Sequence, residues 1–87
     1  MYLHLGQETI VPYRDIIGIF DLDTATVAKT TRDFLRDAEK AGEVRTVSME
    51  LPKSFILSGK SRAERTIYIS QISTSTLLKR TQEFLGE

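Results

Sequence analysis

Between Ser54 and Ser70 the chain reads Ser-Phe-Ile-Leu-Ser, then Gly-Lys-Ser-Arg-Ala-Glu, then Arg-Thr-Ile-Tyr-Ile-Ser. Two runs rich in β-branched and aromatic residues, joined by six small or polar ones, predict an antiparallel hairpin with a basic tip. The rest of the chain has to be arranged around that sheet. Tyr2 and His4 alternate with Leu3 and Leu5, a strand period, and Gly6-Gln7-Glu8 reads as a turn. Thr9-Ile10-Val11 resumes a strand that Pro12 limits, because proline has no N–H for a ladder. Arg14–Phe20 is a further strand, with Gly18 marking a bulge or a close backbone approach.

Helical periodicity occurs twice. Val27, Thr31, Phe34, Leu35 and Ala38 fall on one face, with Lys29, Arg32, Asp33, Arg36, Asp37 and Lys40 opposite. Asp21, Asp23 and Thr24 are cap candidates for that helix, and Gly42 ends it. The spacings of Lys29 with Asp33 and of Asp33 with Arg36 suit ion pairs worth a few tenths of a kcal/mol, on the order of 0.3 each. Val44–Met49 reads as a strand. A second helix starts near Ser73 or Ser75 and carries Leu77, Leu78, Thr81, Phe84 and Leu85 on its apolar face. The expected fold is α+β, a small antiparallel or mixed β-sheet with two packed helices in the order βββ-α-βββ-α. Residues 1–87 form a single domain, since the chain shows no repeat, linker or low-complexity stretch.

At 87 residues a hydrophobic core is marginal, and with no cysteine there is neither a disulfide framework nor a thiolate metal site. Association with other copies is the remaining source of stability. The longest apolar stretch, Ile16–Phe20, is far too short to span a bilayer and is interrupted by Gly18. No membrane partner is expected, and a cytoplasmic location is.

The net charge is zero, but it is unevenly distributed. Residues 1–50 carry six basic and nine acidic side chains, whereas residues 51–82 carry six basic ones and a single acid, Glu64. Asymmetry of this kind points to an anionic partner for one side of the molecule, against the plainer alternative of an ordinary solvated surface.

Catalytic and cofactor patterns are incomplete. Gly59-Lys60-Ser61 invites a phosphate-loop reading, but Ser54 stands where that motif needs its first glycine, and a strand follows instead of a helix. His4 is the sole histidine, and no serine is placed beside it by the sequence. On its strand it reads as a packing or hydrogen-bonding residue. Asp21 and Asp23 are explained by helix capping. The chain is therefore read as a non-enzyme with no cofactor and no metal.

What remains is basic. Lys53, Lys60, Arg62 and Arg65 belong to the hairpin, and Lys79 and Arg80 to the last helix. Such a hairpin can straddle a phosphate backbone, and arginine forks match phosphate oxygens. One protomer offers few contacts, and affinity accumulates steeply with each phosphate neutralised. A symmetric multimer repeating the hairpin would bind by avidity. Aromatic residues near the tip are sparse, with only Phe55 and Tyr68 close by, which favours duplex phosphate contacts over single-strand stacking.

Four segments in order carry a resemblance across nearly the whole chain. They are Tyr2-Leu3-His4-Leu5-Gly6, Arg14-Asp15-Ile16-Ile17-Gly18-Ile19-Phe20-Asp21, Pro52-Lys53-Ser54, and Ser73-Thr74-Ser75-Thr76-Leu77-Leu78-Lys79-Arg80. With them the chain resembles the Rem-type extracellular matrix regulators of bacteria, and within these the B-type branch. The resemblance implies a ring-like homo-oligomer that binds duplex DNA and regulates transcription of biofilm matrix genes without a cofactor. If the chain binds DNA its location is at the nucleoid, and a paralogous regulator is a candidate further partner. In the A-type branch an arginine pair after the central helix serves DNA. The corresponding stretch here is Leu51-Pro52-Lys53, where Lys53 alone keeps the charge, and the family's early basic position falls at Arg14. The alternative that stays open is a self-assembling scaffold or protein-interaction module without DNA binding.

Overall fold

The computed structural model describes residues 1–61 and 63–85, the last three by backbone alone. Its central feature is the expected hairpin, extended at the tip. β5 (Ser54–Ser61) and β6 (Glu64–Ser70) pair antiparallel from Ser54 opposite Ser70 to Ser61 opposite Glu64. Most of the six-residue polar stretch is thus strand, and a register shift between Gly59 and Ser61 takes up the irregularity. Gly59-Lys60-Ser61 is extended chain, in keeping with the incomplete phosphate-loop pattern.

Among the described residues, six strands, a 3-10 turn and three helical segments follow the α+β order read from the sequence. β1 (Tyr2–Gly6) and β2 (Thr9–Pro12) form a separate two-stranded ribbon. After a 3-10 turn (Tyr13–Asp15), β3 (Ile16–Asp21) joins β5 at one edge of a four-stranded sheet of order β3-β5-β6-β4. β4 (Val44–Thr46) closes the other edge and runs parallel to β6, so the sheet is mixed. The bulge expected at Gly18 is present as a register shift between Ile16 and Gly18.

The first helix is broken where one continuous helix was expected. α1 (Leu22–Ala25) is a single turn capped by Asp21, whose carboxylate accepts from the Asp23 N–H at 2.8 Å and the Thr24 N–H at 3.1 Å. α2 (Lys29–Lys40) starts afresh after Ala28, which is extended. The β-branched pair Thr26-Val27 resists helix, and local bonds hold the break. The Thr26 hydroxyl donates to the Leu22 carbonyl, and the Arg32 guanidinium donates to the carbonyls of Thr26 and Val27, both at 2.8 Å. Val27, expected on the buried face, is 76% exposed in consequence. The remainder of that face holds: Phe34, Leu35 and Ala38 pack on Phe55 and Ile67. Gly42, at φ +76°, ends α2 in a Schellman motif, with its N–H on the Glu39 carbonyl and the Glu43 N–H on that of Ala38.

The sheet buries a different core on each face. On one side α2 covers Phe55, Leu57, Ile67, Ile69 and Val44. On the other, the β1–β2 ribbon and α3 (Thr74–Leu85) bring Leu3, Leu5, Val11 and Leu77 onto Ile56, Ile19 and Tyr68. Ser54, Ser58 and Ser70 are buried on this second face, and each hydroxyl has a carbonyl partner: Ser54 on Ile72, Ser58 on Thr66, Ser70 on Leu5. Ser73 caps α3 through the Thr76 N–H, as its position suggested. Leu78, expected on the apolar face of this helix, is 48% exposed, and the side chains of Phe84 and Leu85 lie outside the described residues.

Two local features carry predictions. The β1–β2 turn places Gln7 at φ 47° and Glu8 at φ 65°, left-handed positions that a two-residue hairpin turn requires and that side chains other than Asn or Gly adopt at a cost. Replacing Gln7-Glu8 with Asn-Gly is expected to stabilise the fold by about 1 kcal/mol, read as a higher denaturant midpoint at unchanged slope. The Asp21 carboxyl is held below its ordinary value of 3.8, chiefly by the backbone N–H of Thr24, then by the Thr24 hydroxyl and the Asp23 N–H. A depressed folded-state pKa gives stability that is complete above the unfolded value and is lost as pH falls through the folded one. Acid titration of Asp21→Asn is therefore expected to show a shallower fall in stability below pH 4 than the parent chain.

Candidate nucleic-acid interface

The basic residues singled out from the sequence do not form one patch on a protomer. Ile16 lies opposite Ser58, so the 3-10 turn that carries Arg14 sits at the Lys60 end of β5. Gly59 lies opposite Arg65, which puts Arg65 at the same end. Lys53 immediately precedes β5 at its other end. Lys60 lies seven positions further along the strand, about 23 Å away at the rise of an extended chain. Its backbone is fixed there by its N–H on the Ser70 carbonyl and by its own carbonyl, which accepts from Leu22.

The cations also differ in their freedom. Lys53, Lys60 and Lys79 are exposed and have no acidic partner within ion-pair distance among the described residues. The Arg14 guanidinium is largely exposed, and its ion-pair partner among the described residues is Asp15, at 3.9 Å. Arg65 is committed elsewhere: its Nε donates to Glu43 at 3.0 Å, and its guanidinium lies 5.2 Å above the ring of Phe34. That arrangement ties the hairpin to α2 and neutralises the charge. Arg80 reaches across to donate to the His4 carbonyl at 2.8 Å, while the Tyr13 hydroxyl donates to the Arg80 carbonyl at 3.3 Å. Arg80 therefore pins α3 to the ribbon and lies close to the turn that bears Arg14. Arg62 lies outside the described residues.

A shallow surface depression beside Arg14 is lined by Met1, Tyr2, Pro12 and Tyr13. Two tyrosines thus stand next to an exposed arginine, a juxtaposition of aromatic and cation that the sequence reading did not find. The aromatics it named, Phe55 and Tyr68, belong to the two cores instead. The pairing of Tyr2 with Pro12 in the ribbon register, together with the Tyr13 N–H on the Met1 carbonyl, creates the depression. The alternation at residues 2–5 puts Tyr2 on the outer face, and only the register shows what lies beside it.

Other chemistry is sparse. Among the described residues no group of three or more His, Asp or Glu side chains comes together, and no helix is long and apolar enough to cross a membrane. His4 sits on the outer face of the ribbon, opposite Ile10, with its side chain away from the core.

No family model matches the chain. A curated relative does. Over 82 residues the chain is 39% identical to Extracellular matrix regulatory protein B of Bacillus subtilis (strain 168), covering 94% of this chain and 91% of the relative. The chain belongs to this family of extracellular matrix regulators. Near-complete coverage of both sequences means that the family relation extends from the β1–β2 ribbon to α3, and that Arg14, Lys53 and Lys60 lie within the span that can be compared.

Proposed function

We propose that the chain is a homo-oligomeric, cytoplasmic regulator of matrix genes that holds duplex DNA through its phosphates, and that it carries out no catalysis. The observation that carries the reading is the pair of exposed cations, Arg14 and Lys60, at one end of the four-stranded sheet, with Arg80 and Lys79 on the neighbouring helix. The name of the B. subtilis relative supports the regulatory part. A single protomer presents few phosphate contacts, so the reading needs several copies acting together. In such an array Lys53, at the far end of β5, serves a different strand segment or a different copy from Lys60. Arg65 serves the fold.

The test is a salt-titrated binding assay on duplex DNA. Affinity is expected to fall steeply with salt. Arg14→Ala with Lys60→Ala is expected to weaken binding and to flatten the salt slope by about 1 for each phosphate no longer neutralised. Arg65→Ala is expected to lower the melting temperature instead. Unchanged affinity in the Arg14/Lys60 variant would move the interface elsewhere. A second reading, a scaffold that assembles without nucleic acid, draws on the zero net charge and on the exposed Ile17, Met49 and Leu51. A salt-insensitive oligomer with no DNA affinity would establish it over the first.

A further inference from the structure

Two apolar features of the surface lie on opposite sides of α2 and match each other. The first is a hole. Between the β3 edge and α2 an open groove of about 230 Å³ is lined by Phe20, Ala25, Thr31, Phe34, Phe55 and Leu57. Phe20 stacks on Phe55 at 4.8 Å between ring centroids and remains 39% exposed, so part of an aromatic floor faces solvent. The second feature is a knob. In the connection between β4 and β5, Met49 is 100% exposed and Leu51 is 80% exposed. Met49 stands on the β4 side of α2, near Leu35, Val44 and Ile69, so it cannot fill the groove of its own chain.

The charges around the two features are complementary. Thr30 also lines the groove, in the first turn of α2, and the residue before that helix, Ala28, supplies no side-chain cap. The first N–H groups of a twelve-residue helix therefore point out beside the hole, where they favour a carboxylate. Glu50 stands between Met49 and Leu51 in the knob. Knob and hole occur on the same chain at opposite edges of the sheet, β4 and β3, so the contact between copies is head-to-tail. Every copy can give and receive it, and such a contact closes into a ring or runs on as a filament.

We propose that Met49 of one copy, with Leu51 beside it, seats in the Phe20–Phe34–Phe55 groove of the next, and that Glu50 meets the N-terminus of α2. The assignment rests on the homo-oligomeric part of the proposed function and names the surfaces that build it. Methionine suits the role, being unbranched, adaptable and favourable against aromatic rings.

The experiment is light scattering on the full chain, with circular dichroism to verify folding. Met49→Asp removes the knob and Thr31→Arg fills the hole. Thr30→Glu, at an exposed position, is a second hole variant that repels Glu50 should Thr31→Arg perturb the fold. Each variant alone is expected to fold as the parent does and to associate at least roughly 30-fold more weakly. Mixing a knob variant with a hole variant is expected to restore one intact contact and yield a heterodimer that extends no further. Variants that keep the parental oligomer, or dissociated variants that stay apart when mixed, would overturn the assignment. A parent chain that is monomeric throughout would overturn both the assignment and the oligomeric reading beneath it. A parent oligomer with no affinity for DNA would defeat only the regulator reading and leave the assembly contact standing.

Discussion

Replacing Gly59 with alanine is expected to destabilise the fold by about 3 kcal/mol, the sum of backbone strain and overpacking each worth roughly 1–3 kcal/mol. Gly59 has φ +150°, a conformation that L side chains rarely adopt, at the register shift between β5 and β6. A Cβ built there would lie 2.3 Å from the Glu64 carbonyl oxygen and 2.8 Å from the Arg65 Cα. Both neighbours are backbone, so no side-chain rotation relieves the clash, and the two central strands must move apart. At roughly 4–8 °C per kcal/mol for a domain of this size, the melting temperature should fall by more than about 10 °C. The same displacement would turn Lys60, the next residue, so under the proposed function the variant should also hold DNA less well even at temperatures where it is folded. Melting like that of the parent would show that the irregularity at Gly59 is dispensable. Gly18 is a useful contrast. There the added Cβ would meet the ring of Phe20 at 2.7 Å, a side chain that can swing away.

The second large effect belongs to Leu77. It is fully buried, and in one cluster it meets Leu3, Leu5 and Val11 of the ribbon and Ile56 of the sheet. Leu77→Ala is expected to cost about 3–4 kcal/mol, the forfeited transfer energy together with the cavity it leaves. That is a large fraction of the roughly 5–15 kcal/mol that holds a domain together. Its neighbour Leu78 supplies the control. At 48% exposure, truncation to alanine should cost no more than about 1 kcal/mol. Chemical denaturation of the pair separates burial from helix propensity, because both changes are Leu→Ala in the same turn of α3. Equal losses would contradict the placement of this helix.

Local signals carried most of the architecture. The β5–β6 hairpin, the Phe34-Leu35-Ala38 stripe, the terminating glycine at position 42 and the cap at Ser73 are all written within a few residues of where they act. The ion pairs of Asp33 with Lys29 and with Arg36 form as their spacing suggested. What escaped the sequence is non-local. The break after α1 depends on Arg32 reaching back to Thr26 and Val27, and helical spacing alone would put Val27 on the buried face. Nothing in Val44–Thr46 states that this strand lies parallel to β6 at a sheet edge.

The site was less legible than the fold for the same reason. Lys53 and Lys60 are close in sequence, but an extended chain turns seven residues into two ends of a sheet. Arg65 looks like a free hairpin cation until Glu43, twenty-two positions away, is brought beside it. Arg14 gains its aromatic neighbours only through the ribbon register. A charge count along the chain gives a total without saying which charges are already neutralised.

The two cores on opposite faces of one sheet bear on how the molecule opens. The ribbon and α3 share one core with the sheet, and the Ser70 hydroxyl adds a direct tether by donating to the Leu5 carbonyl while accepting the Ile72 N–H. The residue that ends β6 therefore grips the first strand and the approach to the last helix at once. Releasing either end of the chain strips that bond and uncovers the same apolar surface, so amide exchange should run together in β1 and α3. The α2 face, with its own core around Phe55 and Ile67, would keep its protection through that opening. Such a molecule breathes at its ends as one cooperative unit while the turn that bears Arg14, stitched to both Met1 and Arg80, moves with them.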